Sequence, residues 1–156
     1  MLKNIDPLLN ADVLYALRAM GHGDYLVVCD TNFPADSVAH ETCLGELLRI
    51  DNVSAARATE AILSVMPLDT FIDDAAQRME IVGAPDEIPA VQEEVQRAIE
   101  AAEGKPWPMV SVERFDFYDR AKKAYAVIAT GERRFYGCFM FTKGVTPPDA
   151  LSLIHI

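Results

Sequence analysis

The stretch Gly21–Asp36, with the sequence GHGDYLVVCDTNFPAD, organises the rest of the chain. It places a histidine between two glycines, continues with the apolar run Tyr25–Cys29, and reaches Asp30 shortly before a Phe-Pro turn. A short apolar run bounded by turn residues is typical of a buried strand. His22 and Asp30 therefore lie at opposite ends of this strand, or the chain folds back and brings them together.

His22 and Asp30 are open to more than one interpretation. A histidine on a flexible backbone beside carboxylates is a candidate acid–base group, because its charge changes near neutral pH. The alternative is a helix-ending glycine, a loop histidine and a turn aspartate, and the local sequence by itself favours this reading. A metal site made of His22, Asp24 and Asp30 lacks the usual ligand spacing, so no metal is expected.

The composition indicates one compact domain. The chain has 156 residues, of which 51% are hydrophobic and 24% charged, enough to bury a sizeable core. Its net charge of -10 argues against nucleic acid or an anionic membrane as a partner, because phosphate would be repelled, but not against a neutral sugar. The three cysteines, Cys29, Cys43 and Cys138, predict no disulfide framework, and Cys29 is expected to be a buried free thiol.

The chain carries no apolar segment of signal-peptide or membrane-spanning length, so a cytoplasmic protein is expected. Helices alternate with short apolar strands over most of its length. The helices are predicted at 10–20, 53–66, 86–102 and 113–123, with Asn10, Asp51 or Asn52, and Asp86 as caps of the first three. The strands are predicted at 25–29, 47–50, 78–82, 109–112, 125–130 and 135–141.

This alternation predicts a three-layer α/β/α domain with helices on both faces of a mostly parallel sheet. The strands at 125–130 and 135–141 are close in sequence and are expected to pair as a hairpin, which makes the sheet mixed. We expect a single domain over residues 1–147, followed by an apolar C-terminal tail over 148–156.

Arg114 and Tyr118 are candidate binding residues on the predicted helix 113–123. They are one turn apart and share a face, and a guanidinium beside a phenol can hold a hydroxyl-rich ligand through several donors. The alternative is that Phe115 and Tyr118 anchor the core and the charges face solvent. We prefer the core role for Phe115, whereas the choice stays open for Arg114 and Tyr118.

Gly137, between Tyr136 and Cys138, lies within a predicted strand. A glycine at such a position often marks the close approach of another group. By contrast, Gly21-His22-Gly23 is no nucleotide-binding fingerprint, because it closes a helix and opens a strand and lacks a third glycine.

These stretches, in this order, resemble the D-ribose pyranase and L-fucose mutarotase family over residues 1 to about 147. The Arg114 helix is similar to that of the fucose branch, since the ribose branch typically has a histidine there. The resemblance rests on the opening Leu2–Leu9, Met20-Gly-His-Gly-Asp24, Asp30 with Phe33-Pro34, Arg114-Phe-x-Phe-Tyr-x-Arg-Ala121, Ala126-Val-Ile-Ala-Thr-Gly-Glu132, Tyr136-Gly137 and Lys143-Gly-Val-Thr-Pro147.

The resemblance implies a cofactor-independent enzyme that interconverts the anomers or ring forms of a monosaccharide such as L-fucose. His22 matches the family's proton-transferring position, and Asp30 and Arg114 match substrate-binding positions. In such an enzyme we expect Asp30 either to orient His22 or to bind a sugar hydroxyl. Arg114 and Tyr118 would bind the remaining hydroxyls. The segment Tyr136-Gly137-Cys138 matches a tyrosine-small-asparagine segment, with Cys138 where asparagine is usual. Because a thiol replaces an amide poorly, this departure predicts a different sugar preference or weaker binding.

Members of this family are ring-shaped oligomers, commonly of ten subunits, with each site completed by the neighbouring chain. The resemblance therefore implies a homo-oligomer.

The residues by themselves leave two other functions open. One is a non-catalytic monosaccharide-binding protein of sugar uptake or regulation, which would need Arg114 and Tyr118 but not His22. The other is a metal-dependent isomerase or lyase.

Overall fold

The computed structural model of the protein describes residues 1–148. Within that range the helices are α1 (Ala11–Ala19), α2 (Ala35–Ala39), α3 (Ala55–Leu63), α4 (Ala90–Glu103) and α5 (Arg114–Lys122). The strands are β1 (Tyr25–Cys29), β2 (Leu48–Ile50), β3 (Ala76–Met79), β4 (Val110–Val112), β5 (Ala126–Thr130) and β6 (Phe139–Thr142).

The strands form one mixed sheet in the order β2-β5-β1-β6-β3-β4. Strand β1 is central and pairs on both edges: Val27 lies opposite Val127 of the parallel β5 and opposite Met140 of the antiparallel β6. Strand β6 is also antiparallel to β3, so the other five strands all run in one direction. This confirms the predicted mixed, mostly parallel sheet.

The predicted hairpin between the last two strands is wrong. Strands β5 and β6 are not neighbours, because β1 lies between them and pairs with both. The connection 131–138 therefore crosses two strand spacings, about 10 Å. It does so as a loop in which Tyr136 takes a left-handed backbone conformation, so β6 begins at Phe139 instead of at 135.

The side chains of β1 alternate between two cores. Leu26 and Val28 are buried against α1, α3 and α4, whereas Val27 and Cys29 are buried against α2 and α5. Helices thus cover both faces of the sheet, as the three-layer prediction requires. Cys29 is a fully buried free thiol, also as predicted. Burial raises the pKa of this thiol, and the nearby Asp30 carboxylate raises it further.

The ends of three helices test the predicted caps. Asn10 caps α1 as predicted, accepting a hydrogen bond from the Val13 N–H at 3.0 Å. Helix α3 is capped instead by Ser54, whose hydroxyl accepts from the Arg57 N–H at 3.1 Å. Helix α4 begins after Pro89, not at Asp86. A proline disfavours helical backbone in the residue before it, which delays the start of the helix.

No helix among residues 1–148 combines the length and the apolar character needed to cross a membrane. Apart from Pro148, the predicted tail 148–156 lies outside the described residues. The domain boundary after residue 147 therefore stays a prediction.

Candidate active site

A cavity of about 380 Å³ lies at the carboxyl ends of β1, β3 and β4. Its volume is within the range of small-molecule sites. Five residues singled out from the sequence line it, drawn from three separate stretches: Asp30, Arg114, Tyr118, Tyr136 and Cys138. Asn32, Phe33, Met79 and Phe135 complete the wall.

Asp30 follows β1 directly and is only 3% exposed. Its Oδ1 accepts hydrogen bonds from the N–H groups of Asn32 and Phe33, both at 3.0 Å, and its Oδ2 accepts from the Gly137 N–H at 3.0 Å. A carboxylate offers about four acceptor positions, so about one remains for a ligand hydroxyl. The carboxylate is thus held rigidly from behind while it faces the cavity.

Gly137 supports this carboxylate and does not itself line the cavity. A Cβ atom at this position would lie 3.0 Å from Cγ of Glu132 and 3.3 Å from Cβ of Asp30. The predicted close approach to this glycine is therefore confirmed, although it occurs in the loop before β6 and not within a strand.

Arg114 and Tyr118 face the cavity together from the first turns of α5. The Arg114 Nε–H donates to the Tyr118 hydroxyl at 3.0 Å, and the Tyr118 ring meets the Phe33 ring edge to face at 5.5 Å. The guanidinium keeps its terminal donors for a ligand. Phe115 is 64% exposed, so its predicted core role is wrong; the register of α5 turns Phe117 inward instead.

Tyr136 enters the cavity from the loop 131–138. Its backbone φ is 63°, a region that residues other than glycine rarely adopt. Its phenol oxygen accepts from the Val82 N–H at 3.2 Å, which leaves the phenol proton free to donate to a ligand.

Cys138 is 2% exposed and forms an apolar part of the wall with Met79 and Phe33. Burial, reinforced by the charge of Asp30, raises the pKa of the Cys138 thiol well above its ordinary value. The thiol is therefore neutral at physiological pH, and the cavity has a weakly polar surface at this position.

His22 lies elsewhere, at the amino end of β1. Its Nε2 is 3.1 Å from Oδ1 of Asp69, and its ring meets the Phe71 ring edge to face at 5.3 Å. The Asp69 side chain is 4% exposed and also accepts the Phe71 N–H at 3.1 Å, whereas the His22 side chain is 43% exposed. A carboxylate beside Nε2 holds the proton on that nitrogen, which leaves Nδ1 as the basic nitrogen.

The length of β1 separates His22 from Asp30. The five residues of this strand span about 13 Å, so within one chain Asp30 does not orient His22 and the chain does not fold back to join them. Within one chain the same separation keeps Asp30 too far from His22 and Asp24 for the three side chains to share a metal ion. Asp24 is a turn residue, whose Oδ2 accepts from the Gly21 N–H at 2.8 Å. Among residues 1–148, no three His, Cys, Asp or Glu side chains are grouped to hold a metal ion.

A larger open groove, of about 1150 Å³, lies on the other side of the segment 30–35. Asp30 touches both spaces, but Arg114, Tyr118 and Tyr136 line only the smaller one. The smaller cavity is therefore the candidate active site.

The model of the RbsD / FucU transport protein family matches residues 3–146. The chain belongs to this family. This is the family that the sequence motifs resemble, and its match covers all the site residues named above.

Within the RbsD / FucU family, the chain is similar to proteins named for fucose. It is 41% identical to human fucose mutarotase, over 92% of this chain and 94% of that protein. The crystal structure of the fucose mutarotase from Streptococcus pneumoniae in complex with L-fucose shares 37% identity, with a TM-score of 0.83 over 94% of this chain and 100% of that one. A crystal structure of a protein provisionally named a sugar binding protein shares 67% identity, with a TM-score of 0.92 over 94% and 97% of the two chains.

Sequence reasoning missed four residues of this RbsD / FucU protein that line the cavity or contact His22. Asp69, which contacts His22, and the cavity residues Met79 and Phe135 carried no motif signal, because each reaches its place only through tertiary folding. Asn32 could have been found, since it lies between Asp30 and the Phe33-Pro34 turn of the stretch that the sequence singles out.

Proposed function

We propose that this chain is an L-fucose mutarotase, an isomerase that interconverts the anomers of the free sugar. One observation carries the proposal: Asp30, Arg114, Tyr118 and Tyr136 converge on one cavity of about 380 Å³. Together they offer a carboxylate acceptor, a guanidinium and two phenols, which suit a ligand with several hydroxyls. The neutral sugar is also compatible with a net charge of -10.

The proposed reaction needs only proton transfers and one bond rotation. The anomeric hydroxyl loses its proton, the ring oxygen gains one, and the bond between the anomeric carbon and the ring oxygen breaks to give the open aldehyde. The aldehyde group then rotates, and the sugar hydroxyl adds to the other face of its carbonyl. The two protons are transferred in the reverse sense as the ring closes. A histidine that takes and returns one proton contributes about 10²–10⁴-fold to such a rate. Nδ1 of His22 is the group assigned to this step.

His22 has to reach the sugar from a second copy of the chain. Within one chain it lies at the far end of β1 from the cavity, with about 13 Å of strand between them. We therefore propose a homo-oligomer, with the ring of ten expected from the family resemblance, in which the His22 end of one chain covers the cavity of the next.

Exposed aromatic side chains support this contact. Phe71, beside His22, is 70% exposed, and at the cavity Phe115 and Phe135 are 64% and 74% exposed. Large apolar side chains grouped on a surface are typical of interfaces. The cytoplasmic location expected from the sequence is a separate prediction.

Anomer-exchange NMR with L-fucose tests the activity, with D-ribose and D-galactose as comparison sugars. We expect the protein to accelerate exchange of L-fucose most and His22→Ala to remove at least about 99% of that acceleration. His40→Ala is the matched control, because His40 is exposed and, among residues 1–148, its ring nitrogen pairs with the backbone carbonyl and the carboxylate of Asp36 on α2. Full exchange in His22→Ala would refute the assignment of His22. Sugar binding without accelerated exchange in the wild type would favour the non-catalytic binding protein.

A further inference from the structure

Gln92 is a completely buried amide on α4 that lies behind the candidate active site. Its Nε2 donates to the carbonyl oxygen of Met79 at 2.8 Å and to that of Tyr136 at 3.0 Å. Its Oε1 accepts from Nη1 of Arg78 at 3.1 Å. All of its donors and one acceptor position are therefore used by protein groups.

These partners determine the orientation of the amide. Arg78 is 6% exposed and can only donate, and it gives a second hydrogen bond, from Nη2, to the Pro85 carbonyl at 3.0 Å. The two carbonyls can only accept. A rotated amide would place its N–H₂ against the guanidinium and its oxygen against two carbonyls, leaving buried polar groups unpaired at a cost of about 1–3 kcal/mol each.

The carbonyl of Tyr136 and the N–H of Gly137 belong to the same peptide group. Gln92 holds the carbonyl side of this peptide at 3.0 Å, and Oδ2 of Asp30 holds its N–H side at 3.0 Å. Tyr136 itself has a backbone φ of 63°, which a residue with a Cβ adopts only when its surroundings hold it there. This one peptide therefore links α4 to both the Tyr136 phenol and the Asp30 carboxylate.

We propose that Gln92 is a positioning residue for the sugar cavity. It fixes the peptide between Tyr136 and Gly137, and through that peptide it sets where the phenol of Tyr136 and the carboxylate of Asp30 meet the sugar. Arg78 in turn orients Gln92. The inference rests on the proposed function for its effect on activity, but the effect on Tyr136 can be measured without any sugar.

Gln92→Met removes both donors at nearly constant side-chain volume. Gln96→Met is the matched control, because Gln96 lies one turn further along α4 and also donates to a backbone carbonyl, that of Trp107, away from the cavity. We expect Gln92→Met to raise the KM for L-fucose at least about tenfold, since misplacing binding groups by about 1 Å can cost about 10²-fold. Gln96→Met should leave KM and kcat within about twofold of the wild type.

Tyrosine-labelled ¹³C NMR supplies the readout that does not depend on activity. The Tyr136 ring signal, assigned by its loss in Tyr136→Phe, is expected to shift or broaden in Gln92→Met and to keep its position in Gln96→Met. Should Gln92→Met fail to fold, Gln92→Glu is the second variant, because its carboxylate keeps an acceptor for Arg78 but has no N–H to donate; the same change in the Tyr136 signal is expected.

An unchanged Tyr136 signal and an unchanged KM in a folded Gln92 variant would overturn the proposal. A wild-type protein that exchanges none of the three sugars would refute the proposed function instead. In that case the Tyr136 signal alone decides on Gln92: a change supports its positioning role, and no change contradicts it.

Discussion

At the scale of single residues, the pairing of His22 with Asp69 is the contact most directly tied to the proposed proton transfer. Asp69 is buried, lies 3.1 Å from Nε2 of His22 and is fixed by the Phe71 N–H. A buried carboxylate in this position holds one tautomer of the imidazole and stabilises the protonated ring that the proposed proton transfer forms.

Asp69→Asn is therefore expected to lower kcat for L-fucose exchange by at least about tenfold, because an amide can stabilise the protonated imidazole only weakly. The KM should change little, since Asp69 does not line the cavity. Asp73→Asn, an exposed position in the same segment, is the control and should have wild-type kinetics. A wild-type kcat in Asp69→Asn, measured by exchange NMR, would separate Asp69 from catalysis.

At the scale of elements, the loop 131–138 is held to two helices by Arg134 and Glu132, a pair that is called the clamp below. Arg134 makes paired hydrogen bonds to Glu94 on α4, at 2.7 and 2.9 Å, and to Glu132, at 3.0 Å through both Nε and Nη2. Glu132 is buried, and its Oε1 also accepts the Ala55 N–H at the start of α3, at 3.1 Å. This loop carries Tyr136, so the clamp supports one wall of the cavity.

The clamp predicts an acid-sensitive contribution to stability. Burial by itself would raise the pKa of Glu132, but its hydrogen bonds from Arg134 and Ala55 outweigh burial and lower that pKa. The unfolded chain then binds more protons than the folded one, so this stability is present above the ordinary Glu pKa of 4.5 and is lost as the pH falls through the lower folded-state pKa.

Glu132→Gln should therefore lower the free energy of unfolding by about 1–3 kcal/mol at pH 7, the range for losing a buried charged hydrogen bond. The difference from the wild type should shrink as the pH falls below the unfolded-state pKa of Glu132, and it should be clearly smaller at about pH 3 than at about pH 7. Urea denaturation at both pH values, at one protein concentration, measures it. A difference that is the same at the two pH values would show that the charge of Glu132 does not contribute.

The elements also show what could be predicted from the sequence. Strand β1 and the start of α1 follow from local signals, an apolar run and an Asn10 cap. The sequence likewise places Asp30 directly after a strand and Arg114 in the first turn of a helix. The pairing of β5 and β6 with β1 could not be predicted, because closeness along the chain favoured a hairpin and only tertiary packing places β1 between them. Asp69 and Gln92 act on partners 47 and 44 residues away, beyond the reach of any local pattern.

At the scale of the whole molecule, the two halves of the proposed chemistry lie at opposite ends of the central strand. Asp30, Arg114, Tyr118 and Tyr136 form the binding half, and His22 with Asp69 forms the proton-transfer half. A single chain cannot bring them together without breaking β1. Association between copies is therefore part of the proposed mechanism and not an accessory to it.

Complementation between two inactive variants tests this central claim most directly. One variant is His22→Ala, which keeps the cavity, and the other is Arg114→Ala with Tyr136→Phe, which keeps His22. Exchange NMR with L-fucose is measured on each variant alone and on the mixed oligomer from co-expression. With random assembly at equal amounts, about one quarter of the sites join an intact cavity to an intact His22 of the neighbour, and activity should return to about that fraction of the wild type. Activity in the mixed oligomer no higher than the average of the two variants would contradict a site shared between chains.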